Sequence, residues 1–195
     1  MAPKPTIGIA ALQGDYSAHG KAFTRAGAQI QLVRAPYDLE KVQALVLPGG
    51  ESTTMTLLGY ENGLWQALAE RAKAGMPVFA TCAGVIMLAS RLEQETAKVR
   101  PLGLLDIAVS RNAYGSQVES FESDVRVKLG DEDLKLPGVF IRAPVISEVS
   151  EPTIAAGWLG SQVVFVVKGN IWGLTFHPEL SGDLTLQKRF LKIIA

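Results

Sequence analysis

The chain carries one cysteine and two histidines, so chemistry that needs sulfur or imidazole has few places to reside. Cys82 lies in Phe79-Ala-Thr-Cys-Ala-Gly84, where an apolar run passes into a helical pattern over residues 85–89. A side chain at such a junction stands on a sharp strand-to-helix turn, the logic of a nucleophile elbow. The turn falls at the carboxyl edge of the sheet, where open α/β folds bind ligands. Ala80, Ala83 and Gly84 are small enough for a crowded turn. The helix that begins behind Cys82 presents free N–H groups and a partial positive charge, which favour thiolate. The N–H of Ala83, the next residue, is placed to stabilise an oxyanion. The competing reading is a lone cysteine acting as a small buried hydrophobe. This segment alone does not decide between them.

A thiol nucleophile needs a group that takes its proton and later returns one to the leaving amine, and histidine does both near neutral pH. His177-Pro178-Glu179 follows the β-like run 171–176. In an extended segment, residues two apart project to the same side, so Glu179 is expected to orient His177 from its far ring nitrogen, as in other triads. The plainer alternative makes His177 a strand-end residue and Glu179 a cap for the next helix. His19, among Ala18, Gly20 and Lys21 on a helical pattern, is expected at the surface.

A second loop, Leu47-Pro-Gly-Gly-Glu-Ser-Thr53, also leaves a strand and enters a helix. Gly49 and Gly50 permit close backbone approach to a ligand, and one of their N–H groups is a candidate second oxyanion donor. The loop lacks the lysine of a phosphate-binding loop. Glu51 in its place suits a cationic group such as an α-ammonium. Arg111 and Arg142 follow β-like runs and are candidates to grip an α-carboxylate by paired hydrogen bonds; surface ion pairing is the alternative for both.

These segments need a scaffold. Short apolar runs at 6–12, 29–33, 44–47 and 78–80 alternate with helical patterns. One of these is stopped by Gly27, and another is a broken stripe through Met55, Leu58, Leu64, Trp65, Leu68 and Ala72. Alternating strands and helices imply right-handed parallel crossovers, hence a doubly wound α/β sheet. After Pro101, β-like runs at 107–110, 124–129, 139–141, 163–167 and 171–174 are expected as antiparallel additions plus a last central strand. A helix over 184–194 closes the chain. Residues 1–195 fit one domain. With 19 Lys and Arg against 19 Asp and Glu, no concentrated positive field marks a nucleic-acid or membrane partner. A single cysteine and an N-terminus without a signal-peptide apolar region point to the cytoplasm. The uncharged stretches 74–90 and 152–167 are too short, at under about 20 residues, to span a membrane. No cofactor or metal is expected.

Seven stretches occur in an order that resembles the class I, triad-type glutamine amidotransferases, and more closely the glutaminase subunits of pyridoxal 5′-phosphate synthase. They are Ala11-Leu-Gln-Gly14, Leu47-Pro-Gly-Gly-Glu-Ser-Thr-Thr54, Thr81-Cys-Ala-Gly84, Arg111-Asn-Ala-Tyr-Gly115, Ser120-Phe-Glu122, Phe140-Ile-Arg-Ala-Pro144 and Phe176-His-Pro-Glu-Leu180. The resemblance implies a flavodoxin-like, mostly parallel sheet with antiparallel additions. It also implies hydrolysis of L-glutamine by a Cys82–His177–Glu179 triad, with oxyanion donors at Gly50 and Ala83. Glutamine contacts are implied at Gly50, Glu51, Ser52, Arg111, Ile141 and Arg142. The implied partner is a (β/α)8-barrel synthase subunit in a large hetero-oligomer, which receives the ammonia to build vitamin B6. The sequence departs from the family pattern at Ala80, where glycine is common, at Ser116, often arginine, and at Ala18, often glutamate. Ile86 stands where many other amidotransferases carry glutamine, which points away from the nucleotide, histidine and tryptophan pathways. Sheet-and-elbow relatives such as γ-glutamyl hydrolases and cysteine peptidases are the alternative enzymes, and a regulatory module that lost its chemistry is the alternative outside catalysis.

Overall fold

A computed structural model of the chain describes residues 3–94, 98–111 and 120–194. The first half alternates strand and helix: β1 (Thr6–Ala10), α1 (Tyr16–Ala26), β2 (Gln29–Val33), β3 (Ala44–Leu47), α2 (Ser52–Glu61), α3 (Leu64–Lys73), β4 (Val78–Thr81) and α4 (Ala83–Leu88). The second half is mostly strand: β5 (Ala89–Leu92), β6 (Leu105–Ser110), β7 (Ser120–Leu129), β8 (Glu132–Ile141), β9 (Val145–Val149), β10 (Ile154–Leu159), β11 (Gln162–Lys168) and β12 (Ile171–Leu174), before α5 (Thr185–Lys192).

The main sheet runs β2-β1-β3-β4-β12-β11-β10-β7-β8. Neighbours from β2 to β12 pair in parallel, and those from β12 to β8 antiparallel. The parallel part has the flavodoxin-type order, whose winding reverses between β1 and β3. Its central strands β3, β4 and β12 are buried on both faces, so alternate residues feed two cores. Leu45, Leu47, Val78 and Ala80 point into a core with Met55, Trp65, Leu68 and Val85 of α2, α3 and α4. Ala44, Val46, Phe79 and Trp172 point the other way, with Phe23 of α1 and Phe190 of α5. There Phe79 and Phe190 meet edge to face at 5.2 Å, an arrangement aromatic quadrupoles favour.

Helix boundaries follow local chemistry. The Asp15 side chain accepts from the Ala18 N–H at the start of α1, and Gly27, at φ 112°, ends it in the left-handed region. The broken apolar stripe is two helices, α2 and α3, tied by the buried Trp65 indole donating to the Met55 carbonyl at 2.8 Å.

One expectation needs correction. Residues 107–110 do not extend the main sheet; they belong to β6, the centre of a separate sheet ordered β5-β6-β9. Leu105, Ile107 and Val109 of β6 join the core formed by α2, α3 and α4. This strand therefore lies over a face of the main sheet rather than at its edge. Strands β5 and β9 were absent from the sequence reading because Ser90, Arg91 and Glu148 interrupt their apolar character.

Candidate active site

Four loops leave the carboxyl ends of β1, β3, β4 and β12 and converge. After β4, Cys82 adopts φ 49° and ψ −111°, a conformation that costs a non-glycine residue about 1–3 kcal/mol. Bonds on both sides hold it: the Cys82 N–H donates to the Leu174 carbonyl at 2.8 Å, and the Cys82 carbonyl accepts from the Val85 N–H at 3.0 Å. The sulfur lies 3.8 Å from the Ile141 carbonyl oxygen, at the end of β8.

His177 follows β12. Its backbone N–H donates to the Val139 carbonyl at 2.7 Å, and its ring and Cys82 Cβ both border the same position at Gly49. The Nδ1 atom is 2.7 Å from Glu179 Oε1. An ionised carboxylate only accepts, so Nδ1 carries the proton and Nε2 is left toward the sulfur. His177 and Glu179 meet through a turn, closed by the Leu180 N–H donating to the His177 carbonyl, and not through the extended segment expected from sequence. Glu179 does not cap α5, whose N-cap is Leu184; just before it, the Asp183 carboxylate accepts from the Thr185 N–H at 2.7 Å. Burial disfavours the His177 imidazolium, but the Cys82 sulfur and the Glu179 carboxylate outweigh it and hold its pKa up at about 10. Burial likewise raises the Glu179 carboxyl, yet His19 and His177 more than offset this and keep it down at about 2.

The Gly49 loop closes over this pair. A methyl group on Gly49 would stand 2.6 Å from His177 Cε1 and 3.1 Å from Cys82 Cβ, so close approach requires glycine here. The Gly49 carbonyl packs on Gly14, where a side chain would meet that oxygen at 1.8 Å. Gln13 Oε1 accepts from the Glu51 N–H at 2.6 Å, joining the β1 and β3 loops where the winding reverses. Glu51 caps α2, accepting from the N–H groups of Thr53 and Thr54 and from the Thr54 hydroxyl. Burial opposes these donors, but together they hold its carboxyl at about 2.

Among the other predicted residues, Ser52 is buried at the start of α2, Ala83 begins α4 and Gly50 is exposed beside Gln13. Arg111 Nη2 lies 3.7 Å from Glu51 Oε1, so the ion pair foreseen as its alternative role is present at the site. Arg142 is exposed, at φ 42°, directly after Ile141. Ile86 is buried in the core below. The rest of the Arg111-Asn-Ala-Tyr-Gly115 stretch, and Ser116, lie outside the described residues.

His19 overturns its expectation. It is 1% exposed, and its Nε2 lies 3.2 Å from Glu179 Oε1 and 3.0 Å from Thr81 Oγ1. It shares the buried face of α1 with Ala22 and Phe23, which its neighbours Ala18, Gly20 and Lys21 do not announce. Gln13, Thr81 and Val139 were also given no role. Gln13 and Thr81 lie within the stretches Ala11–Gly14 and Thr81–Gly84, but the Val139 carbonyl, being backbone, leaves no signal in residue type.

Residues 9–195 match the SNO glutamine amidotransferase family. The chain belongs to that family. A pyridoxal 5′-phosphate synthase subunit PdxT of Thermoplasma acidophilum is 44% identical over 194 residues, covering 96% of this chain and 92% of the relative. Its counterpart from Thermococcus gammatolerans is 42% identical over 193 residues, 95% and 97% of the two chains. A crystal structure of a glutamine amidotransferase superposes with a TM-score of 0.90 at 40% identity, covering 96% of this chain and 98% of that one. The PurLQS structure from Thermotoga maritima, at 17% identity and a TM-score of 0.69 over 98% of this chain and 97% of that one, shares the fold.

Proposed function

We propose that this family member is the glutaminase subunit of a pyridoxal 5′-phosphate synthase. It hydrolyses L-glutamine to L-glutamate and ammonia and passes the ammonia to a (β/α)8-barrel synthase subunit in a hetero-oligomer. Residues 1–195 act as one domain in the cytoplasm. The observation that carries the reading is the convergence of Cys82 and His177 around Gly49, with Glu179 on the far ring nitrogen of His177, from segments far apart in the chain.

The Cys82 thiolate attacks the side-chain amide carbon of glutamine, and the amide oxygen takes the negative charge. The N–H groups of Gly50 and Ala83 stabilise that oxyanion. His177 gives its proton to the leaving nitrogen, the carbon–nitrogen bond breaks, and ammonia departs from a glutamyl thioester. His177 then takes a proton from water, whose oxygen attacks the thioester to release glutamate and regenerate the thiolate. Glu179 holds the tautomer throughout. Gly50, Glu51, Ser52, Ile141 and the guanidinium groups of Arg111 and Arg142 bind the substrate, with Glu51 toward its ammonium. Losing one oxyanion donor costs about 3–4 kcal/mol of barrier, so a partner that reorients the Gly49–Gly50 peptide switches the enzyme.

Ammonia release from free glutamine, with and without the synthase subunit, tests this. Release by the wild type and none by Cys82→Ala supports the triad. Cleavage of γ-glutamyl peptides without ammonia from glutamine would assign the site to a hydrolase of another specificity. Equal rates with and without synthase would remove the switch.

A further inference from the structure

Glu179 is enclosed, with a side chain 1% exposed, and its Oε1 receives two histidines at once. His177 Nδ1 comes from the same turn at 2.7 Å, and His19 Nε2 comes from α1 at 3.2 Å. The other carboxylate oxygen, Oε2, is buried with no hydrogen-bond partner among the described residues, as is His19 Nδ1. Because a carboxylate only accepts, the His19 proton must sit on Nε2. The same N–H lies 3.0 Å from Thr81 Oγ1, on the residue immediately before the nucleophile. One imidazole thus joins three elements that the triad requires in register: the first helix, the β4 elbow and the turn after β12.

We propose that His19 is a positioning residue for the reaction, its Nε2–H sharing the Glu179 carboxylate with His177 and tethering it to Thr81. The inference rests on the proposed glutaminase reading. Without His19, Oε1 keeps a single donor, and the carboxyl group rotates toward its unpartnered oxygen. The His177 ring then loses the alignment that directs Nε2 at the sulfur. Hydrogen bonds to a charged group in a dry setting are among the stronger ones, so a second donor on this oxygen is a substantial constraint. The His19 ring bonds to Thr81 and Glu179, behind the reacting atoms, so its effect belongs in turnover and not in glutamine affinity.

The test compares His19→Phe, which fills the space without a donor, with His19→Gln, whose side-chain amide returns an N–H near the Nε2 position. Each is assayed for kcat and KM of ammonia release in the presence of the synthase subunit. The far-downfield proton resonance of the His177 Nδ1–H is recorded on the same proteins. For His19→Phe, kcat is expected to fall roughly 10–100-fold, the size found when the outer partner of a functional histidine is removed. KM should stay within about twofold, the resonance should shift or broaden, and His19→Gln should recover most of both. An unchanged kcat and resonance in His19→Phe overturns the proposal. So do equal losses in both variants accompanied by the same drop in melting temperature, which would make His19 a packing residue. If His19→Phe does not fold, Thr81→Val cuts the tether from the other side; lowered kcat at constant KM then supports the proposal, and unchanged kcat overturns it. The resonance needs no turnover. A wild-type chain that releases no ammonia, or a Cys82→Ala variant that still does, therefore strikes the glutaminase reading and leaves the positioning result to be read separately.

Discussion

The parallel and antiparallel halves of the main sheet contribute to the site in different ways. The parallel strands β1, β3, β4 and β12 each deliver a loop at their carboxyl ends, and from these come Gln13, Gly49, Cys82 and His177. The antiparallel half delivers backbone. Strand β8 is the outermost of its sheet, yet its Val139 carbonyl accepts from His177 and its Ile141 carbonyl lies beside the sulfur. The sheet must therefore curl until its far edge returns to the strand ends, and strong twist in antiparallel ribbons makes that geometry accessible. Reactive side chains come from the parallel half, and the antiparallel half walls them in. Phe140 on β8 shows the coupling: it stacks on Phe121 at 4.7 Å and packs on Phe176 at 5.6 Å, next to His177.

The largest effect should come from the parallel half. Cys82→Ala should lower glutamine hydrolysis by at least about 10⁴-fold while leaving the melting temperature nearly unchanged. Cys82→Gly should be equally inactive and more stable by about 1 kcal/mol, because it releases the strain at φ 49°; chemical denaturation measures this. Gly49→Ala should cut kcat by roughly 10²–10³-fold, since its methyl group displaces either His177 or the oxyanion loop.

The antiparallel half should answer first in stability. Phe140→Ala should cost about 3–5 kcal/mol and also lower kcat through the Phe176–His177 link. A variant that lost stability but kept full turnover would separate the two halves. On the rim of the same hairpin, the exposed pair Arg126–Asp133, with Nη2 to Oδ2 at 2.6 Å, should behave oppositely. Arg126→Ala should leave stability nearly unchanged, because solvent screens the pair, and activity unaltered.

The buried charge network gives a pH signature. The Glu179 carboxyl is lowered from 4.5 to about 2, so its stabilisation is complete above pH 4.5 and is lost as pH falls toward 2. His177 is raised from 6.5 to about 10, so its contribution is complete below pH 6.5 and is lost as pH rises through 10. Denaturant melts of wild type against Glu179→Gln should therefore converge at the acid end. Melts against His177→Gln should converge at the alkaline end. A difference independent of pH would place the stabilisation in packing.

Much of this was legible in the chain. Short apolar runs gave β3 and β12 to the residue, because a strand buried on both faces is an unbroken apolar stretch. The strands β5 and β9 escaped because exposed polar residues interrupt them. Cys82 and His177 were found by rarity of type and by position at strand ends. His19 escaped because its immediate neighbours are unlike it in burial, whereas the face it shares runs through Ala22 and Phe23, three and four residues on.

Residue type and spacing by themselves determined the strand–helix alternation and the identity of the groups able to do chemistry, since these depend on local periodicity and on what each side chain is made of. The tertiary structure alone decided that a second histidine reaches Glu179, that β6 leaves the main sheet, and that an edge strand returns to wall the nucleophile. The reason is physical: such contacts depend on how far a twisted sheet curls and how near two elements pack, and those distances are fixed by many residues at once.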